Sequence, residues 1–134
     1  MAGEIRQGKQ TIAIGSEAGL TDQGLNAVAI GRQAGQSQTA HAIAIGAFAG
    51  KYNQGDAAVA IGEQAGSDII GGPGQGAKSI AIGFQAGQFQ QDVSSIAIGC
   101  RAARNQQGIQ SIAIGDDAGL TDQSNNSIAI GTTA

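Results

Sequence analysis

Few side chains in this sequence are of a type that does chemistry unaided. His41 is the single histidine and Cys100 the single cysteine. An imidazole acts as a general base when a hydroxyl, a thiol or a water is held against it, but no serine or cysteine recurs near His41, which stands at a variable position just before a hydrophobic stretch. We read it as a solvated surface residue. A lone thiol offers neither an intrachain disulfide nor a metal framework, and the place of Cys100 is taken elsewhere by Ser16, Arg32, Ala47, Glu63, Phe84 and Asp116, the varied company of an exposed corner. Asp22, Asp116, Asp117 and Asp122 are the candidates for a carboxylate cluster, yet they lack the glycine-rich nonapeptide spacing of calcium-binding rolls and read as surface charge. Gly71 and Gly76, with Lys78 and Ser79 beyond, have the outline of a phosphate loop. Ala77 occupies the position that needs lysine, and a strand pattern follows where a helix N-terminus is required. No catalytic, cofactor or metal residues are assigned, and no enzyme activity is expected.

Four aromatic residues remain, Phe48, Tyr52, Phe84 and Phe89. Tyr52 and Phe89 both lie six residues after a glycine, Gly46 and Gly83, and the other two stand close to such a glycine. Exposed aromatics on a plain surface are the best candidates for contact with a partner, with packing at a corner as the alternative.

The element that must position these residues is a repeat. Ser127-Ile128-Ala129-Ile130-Gly131 recurs upstream, nearly unchanged, ending at Gly15, Gly31, Gly46, Gly62, Gly83, Gly99 and Gly115. Subtracting successive glycine numbers gives a period of sixteen, once fifteen, and one longer step between Gly62 and Gly83. Apolar residues two apart put Ile12 and Ile14 on one face and Ala13 on the other, the alternation of a β-strand, and the glycine closes the strand with a turn. Three residues after each glycine stands an alanine, Ala18 being the first, and a second glycine normally follows it, with Ala103 as the one departure. Eight short strands, too close in sequence for crossover helices and identical in phase, predict a coil that stacks each copy on the last. The expectation is an all-β, parallel β-solenoid of eight coils, about 34 Å long at the spacing of paired strands. Residues 1–10 form a lead, residues 11–134 the single repeat domain, and the longer step adds a loop at about 67–78, Ser67-Asp68-Ile69-Ile70-Gly71-Gly72-Pro73-Gly74-Gln75-Gly76 at its centre.

A coil this short has a thin interior, which suits the invariant alanines. The columns Ile12, Ile14, Val28, Ile30, Ile43, Ile45, Val59, Ile61, Ile80, Ile82, Ile96, Ile98, Ile112, Ile114, Ile128 and Ile130 then form an unbroken apolar stripe outside. Such a stripe is too large for a soluble monomer to expose. Covering it is worth on the order of 30 kcal/mol per chain before entropy, so self-association with Ile on the axis is expected. The alternative is a monomer with Ile inside and alanine outside. A further column, Gln23, Gln54, Gln91, Gln107 and Gln123, with Gln38 one residue early, predicts a structural ladder of stacked amides.

Composition narrows the partners. A net charge of −3 with no run of Lys or Arg argues against nucleic acid and against an anionic membrane surface. Nowhere do apolar residues run together for the length a membrane span needs, so no membrane insertion is expected, and Met1 to Arg6 lacks the apolar core of a secretory signal.

The repeat Ser-Ile-Ala-Ile-Gly-x-x-Ala, returning every fifteen or sixteen positions, resembles the head repeat of trimeric autotransporter adhesins of the YadA type, and similar repeats occur in fibre proteins of phages and large viruses. The resemblance covers residues 11–134 in eight tandem copies. It implies a left-handed β-roll, three chains about a common axis, and an attachment or spacer role at a cell or virion surface, with a host protein or glycan as partner. A complete adhesin of this kind carries a signal peptide, a coiled-coil stalk and a membrane anchor, none of which this sequence displays. Were one chain to follow another, Gly131 of the first and Gly15 of the second would stand close to one period apart, so end-to-end stacking into filaments is a further expectation. The competing class is a monomeric solenoid binding carbohydrate or ice, but the threonines form no ladder of the kind an ice-binding face needs. A glycan site would require exposed aromatics and carboxylates in one place.

Overall fold

Alternation of Ile and Ala makes strands, and the computed structural model places them in chain order. They are β1 (Ile12–Ile14), β2 (Asp22–Gln23), β3 (Val28–Ile30), β4 (Ser37–Gln38), β5 (Ile43–Ile45), β6 (Val59–Ile61), β7 (Ile80–Ile82), β8 (Phe89–Gln91), β9 (Ile96–Ile98), β10 (Asn105–Gln107), β11 (Ile112–Ile114), β12 (Thr121–Gln123) and β13 (Ile128–Ile130). The structure describes residues 1–3, 5–68 and 71–134. Glu4 of the lead and Ile69 and Ile70 of the expected loop lie outside the described residues.

The fold is all-β, with no helix among the described residues, and its parallel strands stack as a β-solenoid of about seven turns. One wall is an eight-stranded sheet in the order β1-β3-β5-β6-β7-β9-β11-β13. Its register sets like on like: Ile12 pairs with Val28, Ala13 with Ala29 and Ile14 with Ile30. That register survives the longer step, where Ala60 still meets Ala81. The second wall is thinner. It consists of β2 with β4, β8 with β10 and β12, and the isolated pairs Gln7 with Gln23, Gln38 with Gln54 and Gln75 with Gln91.

Between the walls lies alanine. Every buried hydrophobic residue among those described is an alanine, from Ala18 to Ala118, all 0% exposed. The larger aliphatics of the first wall point away from this core, so the interior is not built of Ile. Closing such a narrow interior keeps water from the carbonyls of the first wall, each of which can accept a second bond beside its ladder bond. The glutamine column donates that second bond. Gln54 Nε2 donates to the carbonyl of Ile43 at 2.7 Å, and Gln75, Gln91, Gln107 and Gln123 reach Val59, Ile80, Ile96 and Ile112 at 2.8 Å each. Ladder bonds between amides also form, from Gln38 Nε2 to Gln54 Oε1 at 2.8 Å and from Gln91 to Gln107 at 3.0 Å. Gln75, which the longer step displaces from its expected place, belongs to this column and is 1% exposed.

The corners explain the glycines. Gly99 sits at φ 129°, and a Cβ there would lie 2.4 Å from the carbonyl oxygen of Gly115 in the next coil. Arg101, two residues on, takes the left-handed φ of 54°, and Ala103 closes the corner at φ 45° in place of the usual glycine.

Candidate functional site

Two surfaces follow from this wall arrangement. The first is the outer side of the eight-stranded sheet. In β5 and β9 the central alanine is buried while the flanking isoleucines are half-exposed, and the pattern repeats through the stack. The ends are the most open, with Ile14 58%, Ile128 70% and Ile130 65% exposed. Interior members are covered in part by the isoleucines stacked above and below them. The stripe is therefore continuous, but sealing it gains less than sixteen fully exposed side chains would suggest; half of that, on the order of 15 kcal/mol per chain, is the better figure.

The second surface lies where the first corner runs into the second wall. Phe48, Lys51 and Tyr52 come from the coil that begins with β5, Gln64, Ser67 and Asp68 from the next, and Gln88 and Phe89 from the one after. Together they line a groove of about 380 Å³. Three of the four sequence-selected aromatics thus meet in one place, across three coils, while Phe84 stands apart at its corner, 45% exposed. Cations lie on the rings. The Arg32 guanidinium is 4.5 Å from the centre of Phe48, Lys51 Nζ is 5.2 Å from Phe48 and 4.8 Å from Tyr52, and the Arg104 guanidinium is 5.7 Å from Phe89. All are within the range of cation–π attraction. An amide network stiffens the floor: Gln85 and Gln88 both donate to Gln64 Oε1, at 2.7 and 3.2 Å, and Arg104 Nε donates to Gln88 Oε1 at 3.0 Å.

The surplus of the longer coil borders this groove. Asp68 is 7% exposed and its Oδ2 accepts from the Gly74 amide at 2.6 Å. Asn53 Nδ2 donates to the Gly72 carbonyl at 2.8 Å, which ties the loop to the coil below. Aromatics and a carboxylate therefore share one site. Lys51, Gln64, Ser67 and Gln88 were not singled out from the sequence. Their signal was positional: Lys51, Ser67 and Gln88 all stand five residues after a turn glycine, and Phe48 and Gln64 both stand two after one.

The remaining candidates stay scattered. His41 is exposed, its Nδ1 3.5 Å from Asp56 Oδ1. Asp22 pairs with Arg6 at 2.8 Å and Asp117 with Arg101 at 2.7 Å. Among the described residues no three His, Cys, Asp or Glu side chains are grouped to hold a metal ion. Cys100 is free and exposed. Ser79, in the phosphate-loop outline, donates its hydroxyl to Gly76 at 2.6 Å and leads into β7, a strand.

The chain matches no family model, no curated protein and no solved structure.

Proposed function

We propose that this chain is a non-enzymatic structural rod, a head or fibre segment of eight coils in which three copies wind about a common axis and mediate attachment at a cell or virion surface. One observation carries the reading. The Ile and Val side chains of the eight-stranded sheet stand outside an alanine core, on a face that is continuous and nearly identical from coil to coil. A like face on another copy is complementary to it in register, spacing and polarity, because both repeat at the same strand spacing. The resemblance to trimeric adhesin heads supplies the number three, the left-handed sense and the attachment role. The exposed isoleucines of β1 and β13 extend the reading to rods that stack end to end.

Light scattering on a size-exclusion column tests it. A mass near three times 13.2 kDa is expected, and larger, concentration-dependent species if rods stack. A clean monomer overturns the shared axis.

A further inference from the structure

The groove beside the longer coil is made by one chain, and no residue lining it belongs to an Ile strand. Its lining is therefore separate from the Ile stripe that another copy would cover. We propose that it binds an acidic saccharide, an oligosaccharide bearing a carboxylate such as a sialic or hexuronic acid, with Lys51 as the carboxylate's partner and Tyr52 and Phe89 as platforms for the sugar rings. The inference deepens the attachment reading and rests on it for its biological role.

Charge comes first. The chain carries −3 overall, yet Arg32, Lys51 and Arg104, three of its seven Lys and Arg residues, lie over the rings of this groove. Lys51 is held between Phe48 and Tyr52, and among the described residues no carboxylate lies within ion-pairing distance of it. The one carboxylate on the lining, Asp68, is turned to the Gly74 amide. An ammonium placed between aromatic faces without an anion is a site for an anionic group from outside.

Shape and polarity choose the class of ligand. Sugars present C–H faces to rings and hydroxyls to planar amides, and the groove offers both, with Gln64 and Gln88 fixed by their own hydrogen bonds. It crosses three coils, about 10 Å at the strand spacing, room for one or two sugar rings. An acidic peptide is the other anionic candidate. Peptides gain much of their affinity by adding a strand to free backbone groups, but here the backbone is already paired between coils: Gly50 N donates to Ala65 O at 2.8 Å, Gly66 N to Ala86 O at 2.9 Å and Phe89 N to Arg104 O at 2.8 Å. A single groove would bind weakly, and three on one rod would add avidity.

The test is an array carrying sialylated, hexuronate-containing and neutral oligosaccharides, with an oligoglutamate peptide alongside, probed with the native chain and with Lys51→Met, Tyr52→Ala and Phe84→Ala. Binding of acidic glycans is expected, retained by Phe84→Ala outside the groove. In titrations of the best glycan, Lys51→Met should weaken affinity about tenfold or more, as loss of a charge-assisted contact does. Circular dichroism and solution mass, unchanged in each variant, separate lost binding from lost folding. The proposal is overturned if no acidic glycan binds, if neutral glycans bind equally, if the oligoglutamate peptide alone binds, or if Lys51→Met and Tyr52→Ala bind like the native chain. A trimer that binds no glycan overturns the groove and leaves the rod standing. A monomer that binds through Lys51 does the reverse.

Discussion

The side-chain amide of Gln107 donates to the carbonyl of Ile96 at 2.8 Å, eleven residues back along the chain and on the opposite wall of the roll. It approaches a second carbonyl, that of Ser111, at 3.3 Å, and itself is 1% exposed. A polar side chain thus spans the interior and adds a second bond to carbonyls of the first wall, that of Ser111 already accepting the Ile96 amide at 2.9 Å. Gln107→Leu keeps the bulk but removes these buried bonds together with the one its Oε1 accepts from Gln91 at 3.0 Å, and should cost about 1–3 kcal/mol. Gln123→Leu, on a less buried copy near the end of the rod, should cost less. Denaturant midpoints of the two variants provide the comparison, and equal losses would mean that the amide does not act through burial.

The two sides of one strand should respond differently to substitution. Ile98 is half-exposed on the outer face, while Ala97 beside it is 0% exposed. Ile98→Asp should separate the copies and leave a folded β monomer, read as a fall in light-scattering mass with the far-ultraviolet spectrum retained. Ala97→Leu should do the opposite, destabilising the roll itself by about 1–3 kcal/mol or more because a thin core has no room for added methylenes.

Corner glycines should divide by position in the stack. Gly99→Ala combines a left-handed φ of 129° with a contact 2.4 Å from Gly115 O, whereas Gly131 at φ 121° meets nothing within 4 Å. Strain alone costs on the order of 1–3 kcal/mol, so Gly131→Ala should lower the melting temperature modestly. Gly99→Ala adds displacement of a neighbouring coil and should lower it far more. Thermal unfolding monitored by circular dichroism compares them.

Removing residues 70–74 should be tolerated. The step from Gly62 to Gly83 would shorten to the length of the step from Gly83 to Gly99, and Gln75 would stand as far after Gly62 as Gln91 stands after Gly83. Loop length itself is thermodynamically cheap, but the deletion also takes the Gly74 amide from the buried Asp68 carboxylate, so stability should fall by about 1–3 kcal/mol with the solution mass unchanged. Glycan binding should fall, since the shortened chain loses the Gly74 amide that orients Asp68 at the groove. An unfolded product would show that the surplus supports the stack.

The period of the repeat, the two-residue alternation and the invariant turn glycines were enough to predict a parallel solenoid with alanine in and isoleucine out. The reason is that a period of two assigns each residue to a face, and a coil so short leaves no volume inside for anything larger than alanine or serine, except a flat amide. The glutamine ladder was legible for the same reason, apart from Gln75. There the surplus breaks the count from Gly62, and only the pairing of Gln75 with Gln91 restores it. Gln7 is hidden differently: it pairs with Gln23 although no Ile strand precedes it in the sequence.

What the sequence could not give was the groove. Tyr52 and Phe89 are far apart in the chain and share only a count from a glycine. Whether their rings meet, and whether Lys51 stands between Tyr52 and Phe48 or turns away, depends on how three coils lie on one another and where the surplus folds. Repetition along the chain determined which wall each residue joins, because that is set by local geometry. Which side chains on neighbouring coils converge is set by stacking, and only the tertiary structure decided it.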